Sequence, residues 1–251
     1  MNLLERLTES ERQAYVSRLG RPLPSRPLPV RPFLGTAGPG IELIAEFKRS
    51  SPSHGLFPVQ PMETVLGRYS AAGASAISIL VAEEGFAGSL EDLRRARAST
   101  PLPLLYKGFV SDPGQIDEAY AYGADAVLLI TAVLGKDLEA FVRKASQTGL
   151  GSLVEVHREE ELRWALAAGA SMLGINNRDL GSLACDLEVF LDLSRHAPRG
   201  VRLVAESGYR SLEDIAAAER AGARAVLIGE ALLVEDGKLL DAWKRRSAHV
   251  G

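Results

Sequence analysis

An acid and a base lie two residues apart in the stretch IAEFKRSSPSHG, residues 44–55. The stretch begins as a short apolar run typical of a buried strand, and it ends in a Ser, Pro and Gly cluster typical of a loop. Because side chains alternate between the two faces of a strand, Glu46 and Lys48 point to the same face. A carboxylate and an ammonium where a strand meets its loop predict a site for acid–base chemistry.

Other predicted strands also end in charged or polar side chains. These residues are Lys107, Glu155, Asn176, Arg178, Glu206 and Ser207. Burying such charges without partners would cost several kcal/mol each, so they must pair, bind a ligand, or do both. A structural ion pair explains any one of them taken singly. As a ring around one mouth, together with Glu46 and Lys48, they predict acid–base work on an anionic substrate.

Two glycine turns near the C-terminus suggest where a phosphate would bind. Gly208 in AESGYRS and Gly229 in LIGEALL each follow a predicted strand and precede a helix. Backbone N–H groups and helix dipoles at such turns hold phosphates, and Ser51 in the first loop would converge on the same anion. Helix capping is the alternative explanation for Ser51 and for Ser207.

Short apolar strands alternate with amphipathic helices from Ile41 onward, as in repeated βα units. The strand candidates are residues 41–47, 74–80, 102–107, 125–131, 151–156, 171–176, 201–206 and 224–229. Eight strands and eight helices in alternation predict an α/β protein with a closed (β/α)₈ barrel, whose active site lies at the C-terminal ends of the strands. The residues above are at those ends.

A recurring glycine supports this count. It precedes alternate strands in AGASAI, YGADAV, AGASML and AGARAV, at residues 73, 123, 169 and 222. The spacing of about fifty residues is that of two βα units. We expect each glycine to end a helix in the left-handed conformation. No GxGxxG opens a helix after a strand, which disfavours a dinucleotide-binding fold.

An arm is predicted ahead of the barrel. Apolar residues from Leu3 to Leu19 have helical spacing, and Gly20 ends the helix. Prolines at 22, 24, 27, 29 and 32 then favour an extended connector over a PxxP ligand for a partner domain. We therefore divide the chain into an arm, residues 1–40, and a catalytic barrel, residues 41–251.

The composition excludes several classes of protein. The net charge of −3 gives no general attraction to nucleic acid or to an anionic membrane. A single cysteine, Cys185, and four scattered histidines show no metal-ligand spacing. We find no signal peptide and no membrane span. We expect a cytoplasmic protein with no metal, no cofactor and a small phosphorylated substrate. We also expect a monomer.

Seven motifs in order carry a family resemblance. The runs IAEFKRSSPSHG, LPLLYKGFV, GADAVLLI, LVEVH, LGINNRDL, LVAESGY and LIGEAL closely resemble indole-3-glycerol-phosphate synthase of tryptophan biosynthesis. The resemblance runs from Ile41 to the eighth strand. It implies a (β/α)₈ barrel with an N-terminal extension. The implied reaction closes the ring of a carboxyphenylamino-deoxyribulose 5-phosphate with loss of CO2 and water.

The resemblance also implies roles for individual residues. Lys107 is similar to the general acid that protonates the substrate carbonyl, and its ammonium would need a depressed pKa or a strong field to donate near neutral pH. Lys48 resembles the lysine that contacts the substrate carboxylate, while Glu46 and Glu155 resemble the acid–base partners for dehydration. The remaining implied residues are Asn176, Arg178, Glu206 and Ser207 as an orienting shell, Ser51, Gly208, Gly229 and the Glu230 backbone at the phosphate, and Phe86, Phe109 and Leu180 as apolar walls.

Some features leave alternatives open. The family usually has Asp after the strand-three lysine, where this chain has Gly108, and the loop AEEGFAGS is about one residue short. The aromatic and leucine walls fit core or rim packing equally well. Two other functions therefore remain in view: a non-catalytic or substrate-shifted phosphate-ligand binder, and an aldolase using Lys107 or Lys48 as a Schiff-base amine.

Overall fold

The computed structural model describes residues 1–35, 40–58, 60–234 and 237–247. Eight parallel strands close into a barrel in the order β1-β10-β9-β8-β7-β6-β5-β4. Their bounds are β1 Glu42–Phe47, β4 Ala76–Leu80, β5 Leu104–Lys107, β6 Ala126–Ile130, β7 Gly151–Val156, β8 Met172–Asn176, β9 Arg202–Glu206 and β10 Ala223–Ile228. The predicted (β/α)₈ barrel is confirmed.

The first helix precedes the barrel strands, and the other helices follow them. They are α1 Leu3–Val16, α2 Met62–Ala71, α3 Leu90–Ser99, α4 Gly114–Ala121, α5 Thr131–Leu134, α6 Leu138–Gln147, α7 Glu159–Ala167, α8 Glu188–Ser194, α9 Leu212–Arg220, α10 Glu230–Leu233 and α11 Lys238–Ser247. The sequence did not predict the small hairpin of β2 Ser50–Ser51 and β3 Gly55–Leu56 or the short helices α5 and α10. The predicted last helix began at residue 236, which lies outside the described residues.

Both faces of the barrel strands are buried, which explains their nearly continuous apolar sequence. In β1, Leu43 and Ala45 pack in the layer between strands and helices, while Ile44 packs in the barrel interior. The same alternation turns Glu46 inward. The charged end of a strand therefore projects into the interior at its C-terminal side.

The recurring glycines have the conformation that the sequence predicted. Their φ angles are +84° at Gly73, +98° at Gly123, +83° at Gly169 and +104° at Gly222. At Gly123 a second requirement applies, because an added Cβ would lie 2.7 Å from Cγ of Arg97. Glycine there permits both the left-handed turn and the burial of an arginine beneath it.

The arm contacts the barrel at several points through charged and apolar side chains. Arg18 pairs with Glu118 of α4 at 2.9 Å. Arg26, only 5% exposed in its side chain, pairs with Asp125 at 2.9 Å. Phe33 and Leu34 are buried against the residues that fill the barrel interior. The arm thus runs from α1 to the N-terminal end of the barrel. The predicted boundary at residues 40 and 41 adjoins residues outside the described ranges and stays a prediction.

A buried acid lies where α1 contacts the barrel. Burial raises the pKa of Glu11 to about 7, opposed by Arg18 and reinforced by Glu118 and Glu83. The pKa of Glu11 in the folded protein is above its ordinary value of 4.5, so the protonated carboxyl group stabilises the fold at low pH. This stabilisation is lost as the pH rises from about 4.5 through about 7.

We expect Glu11→Gln to stabilise the protein at pH 8.5 by about 1–3 kcal/mol, because the amide needs no ionisation in the buried position. At pH 4 the two proteins should unfold with similar free energies, as measured by urea titration. Glu9→Gln is the matched control, since Glu9 is on the same helix but exposed and bonded to Arg12. The prediction is wrong if Glu11→Gln has the same effect at both pH values.

Candidate active site

A cavity of about 560 Å³ opens at the C-terminal ends of the strands. It brings together nearly all of the predicted site residues: Glu46, Lys48, Ser51, Phe86, Lys107, Phe109, Glu155, Asn176, Arg178, Leu180, Ser207, Gly208, Gly229 and Glu230. Glu206 does not line the cavity and is buried behind Lys107. The roles assigned to these residues stay predictions, whereas their common location is a property of the fold.

Lys107 lies between two carboxylates. Its Nζ donates to Oε2 of Glu206 at 3.1 Å and is 3.2 Å from Oε2 of Glu46. Burial lowers the pKa of Lys107, but Glu46, Glu206 and Glu155 together raise it well above its usual range. A depressed pKa was one of two expected ways to activate this lysine, and it is wrong for the free protein because the nearest charged partners are anionic. Lys107 is therefore an ammonium ion held in a strong local field.

Glu46 joins the two lysines of the site. Its Oε1 is 2.8 Å from Nζ of Lys48, as expected for side chains on one face of a strand. Burial raises the pKa of Glu46, but Lys48 and Lys107 outweigh this effect and lower it to about 2. Glu46 is thus ionised at neutral pH and holds both ammonium groups in place.

The pKa of Glu206 is shifted in the opposite direction from that of Glu46. It is fully buried, and burial raises its pKa to about 7, although Lys107 opposes this shift and Glu155 adds to it. Its Oε1 has no hydrogen-bond partner in the part of the chain that the structure describes. Gly174 provides the space, because a Cβ there would lie 2.0 Å from this oxygen. Burial therefore makes Glu206 hold a proton more readily than Glu46 does.

The opposite side of the cavity combines an amide, two arginines and a carboxylate. Oδ1 of Asn176 accepts the backbone N–H of Arg178 at 3.0 Å. The guanidinium of Arg178 donates to the Leu183 carbonyl at 2.8 Å and lies 3.9 Å from Glu230. Arg210, which the sequence did not identify, donates to Glu230 at 3.1 Å. Two cations therefore converge on the cavity rim.

Apolar side chains form a further wall of the cavity. The rings of Phe86 and Phe109 are 6.1 Å apart and tilted by 37°. The sequence did not identify a second source of apolar surface, in which Leu3, Leu4 and Leu7 of α1 line the cavity. No local pattern places α1 over the mouth, since its apolar spacing fits packing on any face. The wall is suited to a flat aromatic ring.

Three loops with serine or glycine meet at the cavity. Oγ of Ser51 accepts the backbone N–H of His54 at 3.3 Å within the hairpin, so Ser51 does not cap a helix. Ser207 has a φ of +62° and does not cap α9, whose N-cap is Ser211. Capping therefore explains neither serine. Gly229 also has a packing reason, because an added Cβ would lie 2.4 Å from Oε1 of Glu46.

His157 lies next to the site, and the sequence did not predict a role for it. Its Nε2 lies 3.3 Å from Oε1 of Glu155, the carboxylate at the end of β7. The motif LVEVH contained the signal, since Glu155 and His157 are two residues apart. Lys48 and Lys107, with Glu46 and Glu155 in the cavity and Glu206 behind it, form a set able to donate and accept protons at neighbouring substrate atoms.

The position after Lys107 has a steric explanation. A Cβ added to Gly108 would lie 2.9 Å from Cγ2 of Val81 and 3.1 Å from Cε1 of Tyr106. Both neighbours are buried. An aspartate, as expected for the family, would have to displace them. Glycine at position 108 therefore leaves the space that the side chains of Val81 and Tyr106 occupy.

We expect Gly108→Ala to destabilise the protein by about 1–3 kcal/mol through overpacking. In a Val81→Ala background the same substitution should have a much smaller effect, because the clashing Cγ2 is absent. Urea unfolding of the four proteins in this double-mutant cycle measures the difference. Equal effects of Gly108→Ala in both backgrounds would contradict the steric explanation.

Comparisons with known proteins give one family and one fold. The family model of indole-3-glycerol phosphate synthase matches residues 23–240. The indole-3-glycerol phosphate synthase of Carboxydothermus hydrogenoformans is 46% identical over 206 residues, which is 80% of this chain and 78% of that protein. The enzyme of the same name from Mycolicibacterium gilvum is 43% identical over 209 residues, covering 82% and 77% of the two chains.

Solved structures of lower identity share the fold alone. The N-acetylmannosamine-6-phosphate 2-epimerase of Clostridium perfringens superposes with a TM-score of 0.62 at 16% identity, covering 84% of this chain and 93% of that one. Thiamine phosphate pyrophosphorylase from Pyrococcus furiosus gives a TM-score of 0.60 at 17% identity, with coverages of 84% and 96%. Among the described residues, no helix has the length and apolar character needed to cross a membrane.

Proposed function

Because this chain belongs to the indole-3-glycerol phosphate synthase family, we propose that it is a decarboxylating lyase of tryptophan biosynthesis. Its substrate is 1-(2-carboxyphenylamino)-1-deoxy-D-ribulose 5-phosphate, and its product is indole-3-glycerol phosphate. The observation that carries this proposal is the Lys107 ammonium, held between Glu46 and Glu206 at the end of a cavity with an aromatic wall.

The substrate fits the cavity by its three chemical parts. The phosphate binds at Ser51, Gly208, Gly229 and the Glu230 backbone, where the loops meet. The aromatic ring lies against Phe86, Phe109 and Leu180. The ring carboxylate faces Arg178 and Lys48, two of the cations that line the cavity, whereas Arg210 pairs with Glu230. Asn176 and Ser207 orient the chain between the ring and the phosphate.

The first step forms the new carbon–carbon bond. The ring carbon that bears the carboxylate attacks the ribulose carbonyl carbon, and Lys107 donates a proton to the carbonyl oxygen. Loss of CO2 leaves its electron pair in the ring and restores aromaticity. Protonation of Glu206, whose pKa is about 7, removes one of the negative charges that hold the proton on Lys107. The neutral form of Glu206 thereby makes Lys107 a stronger acid.

The second step is dehydration. The hydroxyl group formed from the carbonyl leaves as water when an acid protonates it, and a base removes a proton from the five-membered ring to complete the indole. Glu46 and Glu155 line the cavity with Lys107 and supply this acid–base pair. Glu46 enters the cycle as the anion, since its two lysine partners lower its pKa to about 2.

The carboxylates around Lys107 weigh against a Schiff-base aldolase. A nucleophilic amine must lose its proton, whereas Glu46, Glu206 and Glu155 raise the pKa of Lys107. Borohydride treatment with a sugar phosphate is therefore expected to trap no adduct. A covalent adduct on Lys107 would favour the aldolase over the synthase.

The proposed function is tested by incubating the purified protein with the carboxyphenylamino substrate and recording indole fluorescence. We expect fluorescence to develop with turnover and to require the phosphate, so the dephosphorylated substrate is the control. Tight binding of the phosphorylated substrate without any turnover would favour the non-catalytic binder. We also propose that the protein is a monomer and that it is cytoplasmic, which is consistent with its single cysteine. Sedimentation measures the oligomeric state.

A further inference from the structure

Two carboxylates from different elements contact the imidazole of His157. Its Nδ1 lies 3.3 Å from Oε2 of Glu161 in α7, and its Nε2 lies 3.3 Å from Oε1 of Glu155 in β7. The His157 side chain is only 13% exposed. The imidazole ring therefore bridges a buried acid outside the cavity and an acid that lines it.

Glu161 is itself fixed. Its Oε2 accepts the backbone N–H of His157 at 2.8 Å, and its Oε1 is 2.7 Å from Nε of Arg158. With both oxygens engaged and the side chain buried, Glu161 has little rotational freedom. It sets the orientation of the ring, because an imidazole with Nδ1 toward one carboxylate directs Nε2 away from it.

The charges around the ring favour its cationic form. Burial lowers the pKa of His157, but Glu161 and Glu155, with Glu206 at longer range, raise it above its ordinary value. Asp179, in the segment after β8, also interacts with the ring charge. Nδ1 is hydrogen-bonded to Glu161, whereas Nε2 has no hydrogen-bond partner among the described residues and attracts the Glu155 carboxylate through its charge at 3.3 Å.

Helix capping explains only part of this arrangement. A glutamate in the first turn of α7 that accepts the His157 backbone N–H is a capping interaction, and any side chain at position 157 would permit it. It does not require an imidazole, nor a contact with Glu155. The side chain of His157 thus has a function apart from the helix terminus.

We propose that His157 is a positioning residue that holds the Glu155 carboxylate in the cavity, with Glu161 orienting the ring from behind. The proposal rests on the function proposed above, in which Glu155 takes part in dehydration. His157 is not among the residues that line the cavity, so it acts through Glu155 and not on the substrate. Without the imidazole, the nearly buried Glu155 loses a charged partner and the orientation that this partner imposes.

Replacing His157 by leucine tests this role through the kinetic parameters. We expect kcat to fall by about 10- to 100-fold, the range for misplacing a reacting group by up to about 1 Å, while KM changes little. His157→Gln should restore part of kcat, because its amide can still donate toward Glu155. His196→Leu, at an exposed position, is the control and should leave kcat unchanged.

A second measurement needs no turnover. The ring of His157 can be titrated by NMR in the wild-type protein and in Glu155→Gln and Glu161→Gln. We expect each substitution to lower the pKa of His157, because each removes a negative charge beside the ring. This readout also serves if His157→Leu does not fold.

The outcomes separate this proposal from the proposed function. If the wild-type protein forms the indole and His157→Leu has wild-type kcat, the positioning role is overturned and the function stays intact. An unchanged titration of His157 in Glu155→Gln would also overturn it. A wild-type protein that makes no indole would instead remove the function, and with it the dehydration step on which this role depends.

Discussion

Replacing Lys107 by methionine is expected to lower kcat by about 10²- to 10⁴-fold, the usual contribution of a positioned general acid. Methionine keeps most of the volume of the lysine stem but has no proton to donate. Indole fluorescence with the carboxyphenylamino substrate measures the loss. The reason for so large an effect is geometric, because Lys107 is the ammonium that both Glu46 and Glu206 hold at the cavity.

Lys136→Met is the matched control for this substitution. Lys136 is exposed and does not line the cavity, so its replacement should leave kcat unchanged. Circular dichroism checks that Lys107→Met remains folded, since two buried carboxylates lose a cationic partner. Full activity in a folded Lys107→Met protein would remove Lys107 from the mechanism.

The largest expected effect on stability is at Asp125. This carboxylate is fully buried and is 2.7 Å from the guanidinium of Arg97 and 2.9 Å from that of Arg26. It also accepts the backbone N–H groups of Leu104 and Arg31, both at 2.9 Å. Asp125→Ala is expected to destabilise the protein by about 3–5 kcal/mol, because two buried guanidinium groups then lack their counter-charge.

The effect should appear as a decrease of more than about 6 °C in Tm. Asp192→Ala is the control, because Asp192 forms only an exposed pair with Arg195, and such pairs contribute about 0–1 kcal/mol. Asp125→Asn separates charge from volume and should be nearly as destabilising. A loss below about 1 kcal/mol in Asp125→Ala would show that the arginine cluster contributes little to holding the arm.

The sequence predicted the barrel because its strands are buried on both faces and its turns require glycine. Apolar runs such as 125–131 admit few other structures between amphipathic helices, and the four repeated glycines locate the βα units. The hairpin of residues 50–56 could not be predicted in this way, since its strands have only two residues each. The sequence also did not predict where the arm binds the barrel, because Arg18 and Arg26 pair with residues about one hundred positions away in sequence.

The site was predictable where it follows from strand alternation. Glu46, Lys107 and Glu206 end three different strands, so a closed barrel must bring them to one end. No single strand determines the distances between these three side chains. The direction of the pKa shift of Lys107 depends on those distances. The depressed pKa considered for Lys107 failed for this reason. The steric need for Gly108 likewise depends on Val81, which belongs to another part of the barrel.

The contribution of α1 to the cavity is a further case in which local pattern is insufficient. Its apolar spacing predicts an amphipathic helix but does not identify the surface that covers it. Leu3, Leu4 and Leu7 reach the cavity because the arm is held along the barrel by ion pairs and by Phe33 and Leu34 at the other end. Those contacts lie beyond the range of any helical or strand periodicity.

The most direct test measures CO2 release and indole formation together, in one reaction of the wild-type protein with the carboxyphenylamino substrate. Ring closure followed by decarboxylation and dehydration predicts one CO2 for each indole ring. In Lys107→Met the formation of CO2 and the formation of indole should decrease in parallel. CO2 release without indole, or no reaction of the wild-type protein at all, would contradict the proposed synthase.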